Sequence, residues 1–335
     1  MDSIGLFEAS FQQVSWENLE SVCFRSQDIP SFLRQVKKSP LINECVLLST
    51  CNRIELYFEA DNLVSAKKVL LSIMSQFQSI DEEKLAQIFL FKKGQDVIRH
   101  LFEVSCGMKS MVFGENEILG QIKNAYFVAN TEGTTKKYLN KVFQMGISVG
   151  KKVRSHTSIS KGASSVTSIG IDAIRAKFPQ YLNMSVLVVG AGTMGLRSIK
   201  KLVALGHNNI TIINRTDDKL DRICSKYELQ TFPFELLDKR AGDFHLIIAA
   251  TGSKEYILHP RNLSSNSKTQ FIVDLGMPRN VDAEVSSFVT VHTLSQLKEY
   301  AVKTLDKRQE DEVNAMKIVD EELIKLEEWK NYSYA

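Results

Sequence analysis

The chain has 335 residues, a formal net charge of +3, 44% hydrophobic and 24% charged residues. That length allows two or three domains with cores of their own, and the balance excludes a disordered chain. No apolar run approaches the roughly 18 residues of a membrane span, and the opening MDSIGLFEASFQQ lacks the basic and apolar regions of an export signal.

Five cysteines, an odd number with no CxxC pair, fit thiols in a reducing cytoplasm. The six histidines are scattered away from cysteine, so no metal site is expected.

The first 60 residues read as strands with one intervening helix. IGLFEASF and ECVLLST are strand-like, and RIELYFEA alternates Ile54, Leu56 and Phe58 with Glu55, Tyr57 and Glu59. Between the last two lies the polar knot Ser-Thr-Cys-Asn-Arg, residues 49–53. Residues 62–178 read as mostly helical. Within them, Lys136 to Lys161 carries seven Lys or Arg and no acid. That stretch is either a solvated helix face or a contact for a polyanion such as RNA.

From residue 185 the texture changes. SVLVVGAGTMG runs a β-branched strand into glycines, and NITIINR, FHLIIAATG and QFIVDLGMPR follow with helical segments between them. This alternation predicts a parallel sheet with crossover helices. The residues after VTVHTLSQL contain no Pro or Gly and predict one long helix. Its stripe of Val313, Met316, Val319, Leu323, Leu326 and Trp329 suits either a partner chain or the chain's own parallel-sheet domain. Nine acids against four bases between Asp306 and Glu328 argue against an RNA contact there.

Gly190, Gly192 and Gly195 spell GxGxxG in the strand–turn–helix context that a dinucleotide requires. Ala191, Thr193 and Met194 complete that loop. The second strand ends in Asn214, Arg215 and Thr216, with no carboxylate to repel a 2′-phosphate, so the expected cofactor is NADP(H).

Cys23, Cys45, Cys106 and Cys224 read as small hydrophobes. Cys51 differs, because Thr50, Asn52 and Arg53 flank it and a nearby guanidinium favours thiolate. A cysteine nucleophile beside an NADP domain can reduce a thioester to an aldehyde, or run the reverse oxidation.

STCNRIE, RHLFEVSCGMKSMVFGENEILGQIK, KKVRSHTSISKGA, VLVVGAGTMG, NRT and DLGMPRNVDAEV occur in that order. Together they resemble the motifs of glutamyl-tRNA reductases, the NADPH enzymes that begin tetrapyrrole (porphyrin and haem) synthesis. The resemblance implies that Cys51 attacks the ester of glutamyl-tRNA(Glu) and that the thioester is reduced to glutamate-1-semialdehyde. It implies a carboxylate-binding role for Arg53, and a proton-handling or positioning role for His100. It places Thr50, Asn52, Ser110, Glu115, Glu117 and Gln121 in the substrate pocket. Glu117, Lys109 and Cys106 depart from the family pattern; the first two could offset each other's charge.

The resemblance also implies a multidomain α/β fold. Its expected parts are a catalytic α+β domain at 1–150, a basic helical linker at 151–184, a Rossmann NADPH domain at 185–290, and at 291–335 a long helix that is a shortened dimerisation region. Expected partners are the tRNA substrate, glutamate-1-semialdehyde aminomutase as recipient of the product, and a second copy in a weak homodimer, with no membrane. The competing readings are a shikimate-dehydrogenase-like NADP oxidoreductase of a small molecule and a non-catalytic RNA-binding or redox-sensing protein.

Overall fold

The structure, a computed structural model, describes residues 3–160, 166–216, 220–263, 267–297 and 309–334. The chain divides into two compact units, Met1–Ala163 with Leu305–Ala335, and Ser164–Thr304. Among the described residues, no helix is long and apolar enough to cross a membrane.

The first unit begins with β1 (Ile4–Ser10), α1 (Trp16–Ser21), α2 (Ile29–Lys37), β2 (Glu44–Ser49) and β3 (Arg53–Glu59). It continues through α3 (Leu63–Gln78), α4 (Glu82–Ile88), β4 (Leu90–Lys93), α5 (Gln95–Ser105), α6 (Glu117–Thr131) and α7 (Lys137–His156). The strands form an antiparallel sheet of order β2-β3-β1-β4. Side chains alternate between the faces of a strand. One face carries Phe7, Phe58 and Phe91, whose ring centroids lie 5.7–6.3 Å apart. The other carries Glu8, Arg53, Glu55 and Tyr57, with Glu8 opposite Glu55 and Ser10 opposite Arg53. Both faces are buried, the polar one included.

A buried glutamate anchors α7. Glu44 on β2 accepts hydrogen bonds from the backbone N–H of Tyr138 at 2.9 Å and Leu139 at 3.0 Å. A carboxylate there satisfies donors that the first helical turn leaves open and complements the helix dipole.

The second unit contains α8 (Val166–Lys177), β5 (Val186–Val189), α9 (Thr193–Ala204), β6 (Ile210–Ile213), α10 (Leu220–Tyr227) and α11 (Leu237–Arg240). Strands β7 (Leu246–Ala249), β8 (Phe271–Asp274) and β9 (Thr290–Thr293) complete a parallel sheet of order β6-β5-β7-β8-β9. Its strands are continuous apolar runs because helices cover both faces of such sheets. The boundary expected at residue 150 falls inside α7, and α8 belongs to the second unit, so residues 151–184 are divided between the units.

The chain returns to the first unit as α12 (Gln309–Tyr334). Its stripe is buried through Ala315, Val319, Leu323 and Leu326, while Val313 is exposed. The stripe packs on α5 and α7 of its own unit. This corrects the expectation that a second chain or the Rossmann domain covers it. It also accounts for the opposed charge runs of the sequence. Lys152 reaches Glu322 at 3.0 Å, and Arg99 reaches Asp320 at 2.6 Å. The Lys137 ammonium donates to the Ser333 carbonyl at 2.9 Å, and Lys141 lies 5.4 Å from the Trp329 ring centroid. Of the basic segment, Lys152 is therefore paired with acids of α12, while Lys137 and Lys141 rest on a carbonyl and a ring of the same helix; Lys161 lies outside the described residues.

Candidate active site

Cys51 sits half-buried in the turn joining β2 to β3. Thr50 builds that turn. Its N–H donates to the Arg53 carbonyl at 2.8 Å, and its Oγ1 accepts from the N–H of Asn52 and of Arg53, each at 3.1 Å. The N–H of Phe11 donates to the Asn52 carbonyl at 3.0 Å, tying the turn to the end of β1. The Asn52 Oδ1, Ser10 Oγ and Ser110 Oγ atoms are buried with no hydrogen-bond partner in the structure. An unmet buried polar atom costs about 1–3 kcal/mol, so these three suit a site that a polar ligand completes.

Below the turn lies a charged cluster. Arg53 Nη1 donates to Glu55 Oε1 at 2.7 Å, and Arg53 Nη2 donates to the Lys109 carbonyl. Tyr57 donates to Glu55 Oε2 at 2.6 Å. From α5, His100 Nε2 lies 2.8 Å from Glu55 Oε1. Its Nδ1 lies 3.1 Å from Lys92 Nζ and 3.7 Å from Glu8 Oε2, and Lys92 Nζ lies 2.6 Å from that same Glu8 oxygen. Burial alone would push the Glu55 carboxyl up. His100 and Arg53 beside it, with hydrogen bonds from His100 and Tyr57, instead hold it well below the usual carboxylate range. Burial, then the Glu55 charge, pushes the Tyr57 phenol up. Glu8, Glu55 and His100 also have the spacing of metal ligands. Lys92 and Arg53 already balance the two carboxylates, so a divalent cation would meet two positive charges at close range.

Two arginines clamp the loop from Cys106 to Asn116. Arg53 holds the Lys109 carbonyl from one side. Arg154 donates to the carbonyls of Ser105 at 2.7 Å and Glu115 at 2.8 Å, and to Asn116 Oδ1 at 3.1 Å. This basic residue of the 136–161 segment therefore clamps the loop. Lys109 pairs with Glu103 at 3.3 Å, which places its charge partner elsewhere than Glu117. Cys106 is fully buried, and burial pushes its thiol up to about 12. Ser110 and Glu115 are buried on this loop, and Glu117 and Gln121 are half-buried on the first turns of α6. The structure thus gathers Thr50, Asn52, Arg53, Ser110 and His100 around the Cys51 turn, through Arg53 and the loop it holds.

In the second unit, the glycine loop lies at the carboxyl end of β5, where the sheet order reverses. Gly190 has φ of +111°, and a Cβ on it would run into the Ala250 carbonyl oxygen. A Cβ on Gly195 would run into the Gly190 carbonyl, so α9 starts hard against β5. On Gly192 the nearest atom to an added Cβ would be Ala250 O at 4.0 Å, leaving an open cradle before the α9 N-terminus, where Thr193 is exposed. Asn214 Oδ1 accepts from the Ala191 N–H at 3.1 Å, and its amide donates to Thr216 Oγ1 at 3.0 Å. Asn214 therefore joins the glycine loop to the end of β6. Arg215 and Thr216 are exposed beside it, with the Arg215 guanidinium 5.6 Å from the Phe234 ring centroid. Met194 turns inward, its sulfur 3.4 Å from Thr167 Oγ1. The loop, the helix terminus and the exposed Arg215 and Thr216 at the end of β6 fit a 2′-phosphorylated dinucleotide.

Residues 8–157 match the glutamyl-tRNA(Glu) reductase N-terminal domain family, and residues 172–300 the shikimate/quinate 5-dehydrogenase family. The glutamyl-tRNA reductase of Shouchella clausii is 29% identical, covering 98% of this chain and 73% of the relative. That of Chloroflexus aurantiacus is 29% identical, covering 92% and 76%. The solved glutamyl-tRNA reductase of Methanopyrus kandleri has 27% identity and a TM-score of 0.53, covering 98% of this chain and 80% of that one. The chain is thus similar to glutamyl-tRNA reductases over nearly its full length. In this chain the sequence reading missed Glu8, Glu55, Tyr57, Lys92 and Arg154. The two-residue spacing of Arg53, Glu55 and Tyr57 is the signal that places three polar groups on one sheet face.

Proposed function

We propose that the protein reduces glutamyl-tRNA(Glu) to glutamate-1-semialdehyde through a thioester on Cys51, the first committed step toward tetrapyrroles. The observation that carries this reading is the position of Cys51, half-buried in a turn braced by Thr50 and seated on the Arg53–Glu55–His100 cluster. The Cys51 thiolate attacks the ester carbonyl, the bond to the tRNA 3′ oxygen breaks, and that oxygen takes up a proton. NADPH is the cofactor; held by residues 190–195 and 214–216, it supplies the hydride that converts the acyl group to an aldehyde. Cys51 is released as thiolate. Arg53 serves the substrate carboxylate only by sharing its guanidinium with Glu55, since both are buried and already paired. Asn52, Ser10 and Ser110 offer acceptors and hydroxyls to the amino-acid end of the substrate. Lys136, just before α7, and Lys151 on it are exposed and remain for the tRNA backbone.

Cytoplasmic location, transfer of the aldehyde to an aminomutase and a weak homodimer belong to the same reading; the dimer then uses a surface other than the Leu323 stripe. The test is incubation with glutamyl-tRNA and NADPH while trapping aldehyde. Wild type should form it, and Cys51→Ser should bind NADPH and form none. Turnover of free hydroxy acids without tRNA would favour the dehydrogenase reading that the match at residues 172–300 raises.

A further inference from the structure

Lys92 is the cation of the cluster to which the reaction above gives no part. It lies on edge strand β4, its side chain 26% exposed, with Nζ 2.6 Å from Glu8 Oε2 and 3.1 Å from His100 Nδ1. An ammonium has donors and no acceptor. The His100 Nδ1 it approaches therefore presents a lone pair, and the ring proton sits on Nε2, which donates to Glu55 Oε1 at 2.8 Å. We propose that Lys92 is a positioning residue that fixes the tautomer of His100, and through it the Glu55–Arg53 pair beneath Cys51.

The donors then run in one direction. Lys92 donates to His100, His100 donates to Glu55, and Arg53 and Tyr57 donate to the same carboxylate. Two cations, Lys92 and Arg53, balance two carboxylates, Glu8 and Glu55. Without Lys92, the imidazole faces acceptors on both sides, Glu55 at Nε2 and Glu8 at Nδ1. A second proton then binds at Nδ1, and the ring becomes an imidazolium held between two carboxylates. With both nitrogens engaged inside the cluster, His100 acts on the substrate by holding Glu55 and Arg53, and not by direct proton transfer.

This consequence for turnover rests on the proposed reaction, whereas the tautomer does not. The test is nitrogen-15 NMR of the imidazoles in the full chain, with the His100 signals assigned by their loss in His100→Gln. Wild type should show a bare Nδ1 and a protonated Nε2. Lys92→Met should show both nitrogens protonated, and Lys92→Arg should restore the wild-type pattern. With substrate, Lys92→Met should raise KM for glutamyl-tRNA about tenfold, the scale of one lost charge-assisted bond, with kcat little changed. A wild-type His100 protonated at Nδ1 overturns the proposal even if the variants fail to fold, and so does a Lys92→Met spectrum identical to wild type. The expected spectra from a wild type that makes no aldehyde would instead overturn the reaction and leave the tautomer standing.

Discussion

Arg53 Nη1 and Glu55 Oε1 meet at 2.7 Å with side-chain exposures of 2% and 0%, beneath the turn that carries the candidate nucleophile. Removing one partner of a buried pair leaves the other charge unmatched, at a cost of about 3–5 kcal/mol. Glu55→Gln should therefore strongly lower the urea midpoint of the first unit. Both tryptophans, Trp16 and Trp329, lie in that unit, so intrinsic fluorescence reports it. The pH dependence has a defined sign. The folded carboxyl is held below its ordinary value of 4.5, so its contribution is complete above that value and is lost as pH falls toward the folded one. The gap between wild type and Glu55→Gln should be constant from neutral pH to about 4.5 and narrow below it. A gap that widens on acidification would contradict the assignment.

Thiol reactivity should separate the cysteines. Burial pushes Cys45 and Cys106 up to about 12, so both should resist iodoacetamide at pH 8 in the folded protein. Cys51 is half-buried and should be alkylated, with loss of reductase activity following its labelling in peptide mass spectra. Alkylation of Cys106 as fast as Cys51 would mean that the loop clamped by Arg154 opens in solution.

The glycine loop, the parallel sheet and the turn that holds Cys51 were legible in the sequence because each rests on local pattern: glycine spacing, β-branched runs, and a polar knot between two apolar runs. The charged cluster was not. Alternation such as Arg53-Ile54-Glu55-Leu56-Tyr57 ordinarily means one wet face, and here α5 covers that face while the polar groups satisfy one another. Lys92 and Glu8 lie at separate strand positions that only the pairing of β1 with β4 brings together. The intrachain partners of the basic segment were hidden for a related reason. Its charge partners on α12 are about 170 residues away in sequence, as Lys152 and Glu322 show.

Cofactor choice should turn on Arg215. It is exposed at the end of β6, and Arg215→Asp would place a carboxylate against the 2′-phosphate. Loss of one charge-assisted pair is worth about 1.5–3 kcal/mol, so KM for NADPH should rise roughly ten- to a hundredfold with little change for NADH. An unchanged NADPH/NADH preference would show that the guanidinium serves its contact with Phe234 instead.

Helix α12 should behave as part of the core of the first unit. Leu323 is 2% exposed, and cutting a buried leucine to alanine removes transfer energy and leaves a cavity, costing about 2–5 kcal/mol. The ion pairs flanking it are largely exposed, Arg99 with Asp320 at 37% and 53%, and such pairs are worth about 0–1 kcal/mol. Leu323→Ala should therefore lower the tryptophan-reported midpoint far more than Asp320→Ala, and by the same amount at every protein concentration. Light scattering over a dilution series should give the same mass profile for Leu323→Ala, at a urea-free temperature where it stays folded, as for wild type. A destabilisation that appears only on dilution would return the stripe to an interface between chains, and the acidic helix would then have to leave Lys152 and Arg99 uncovered.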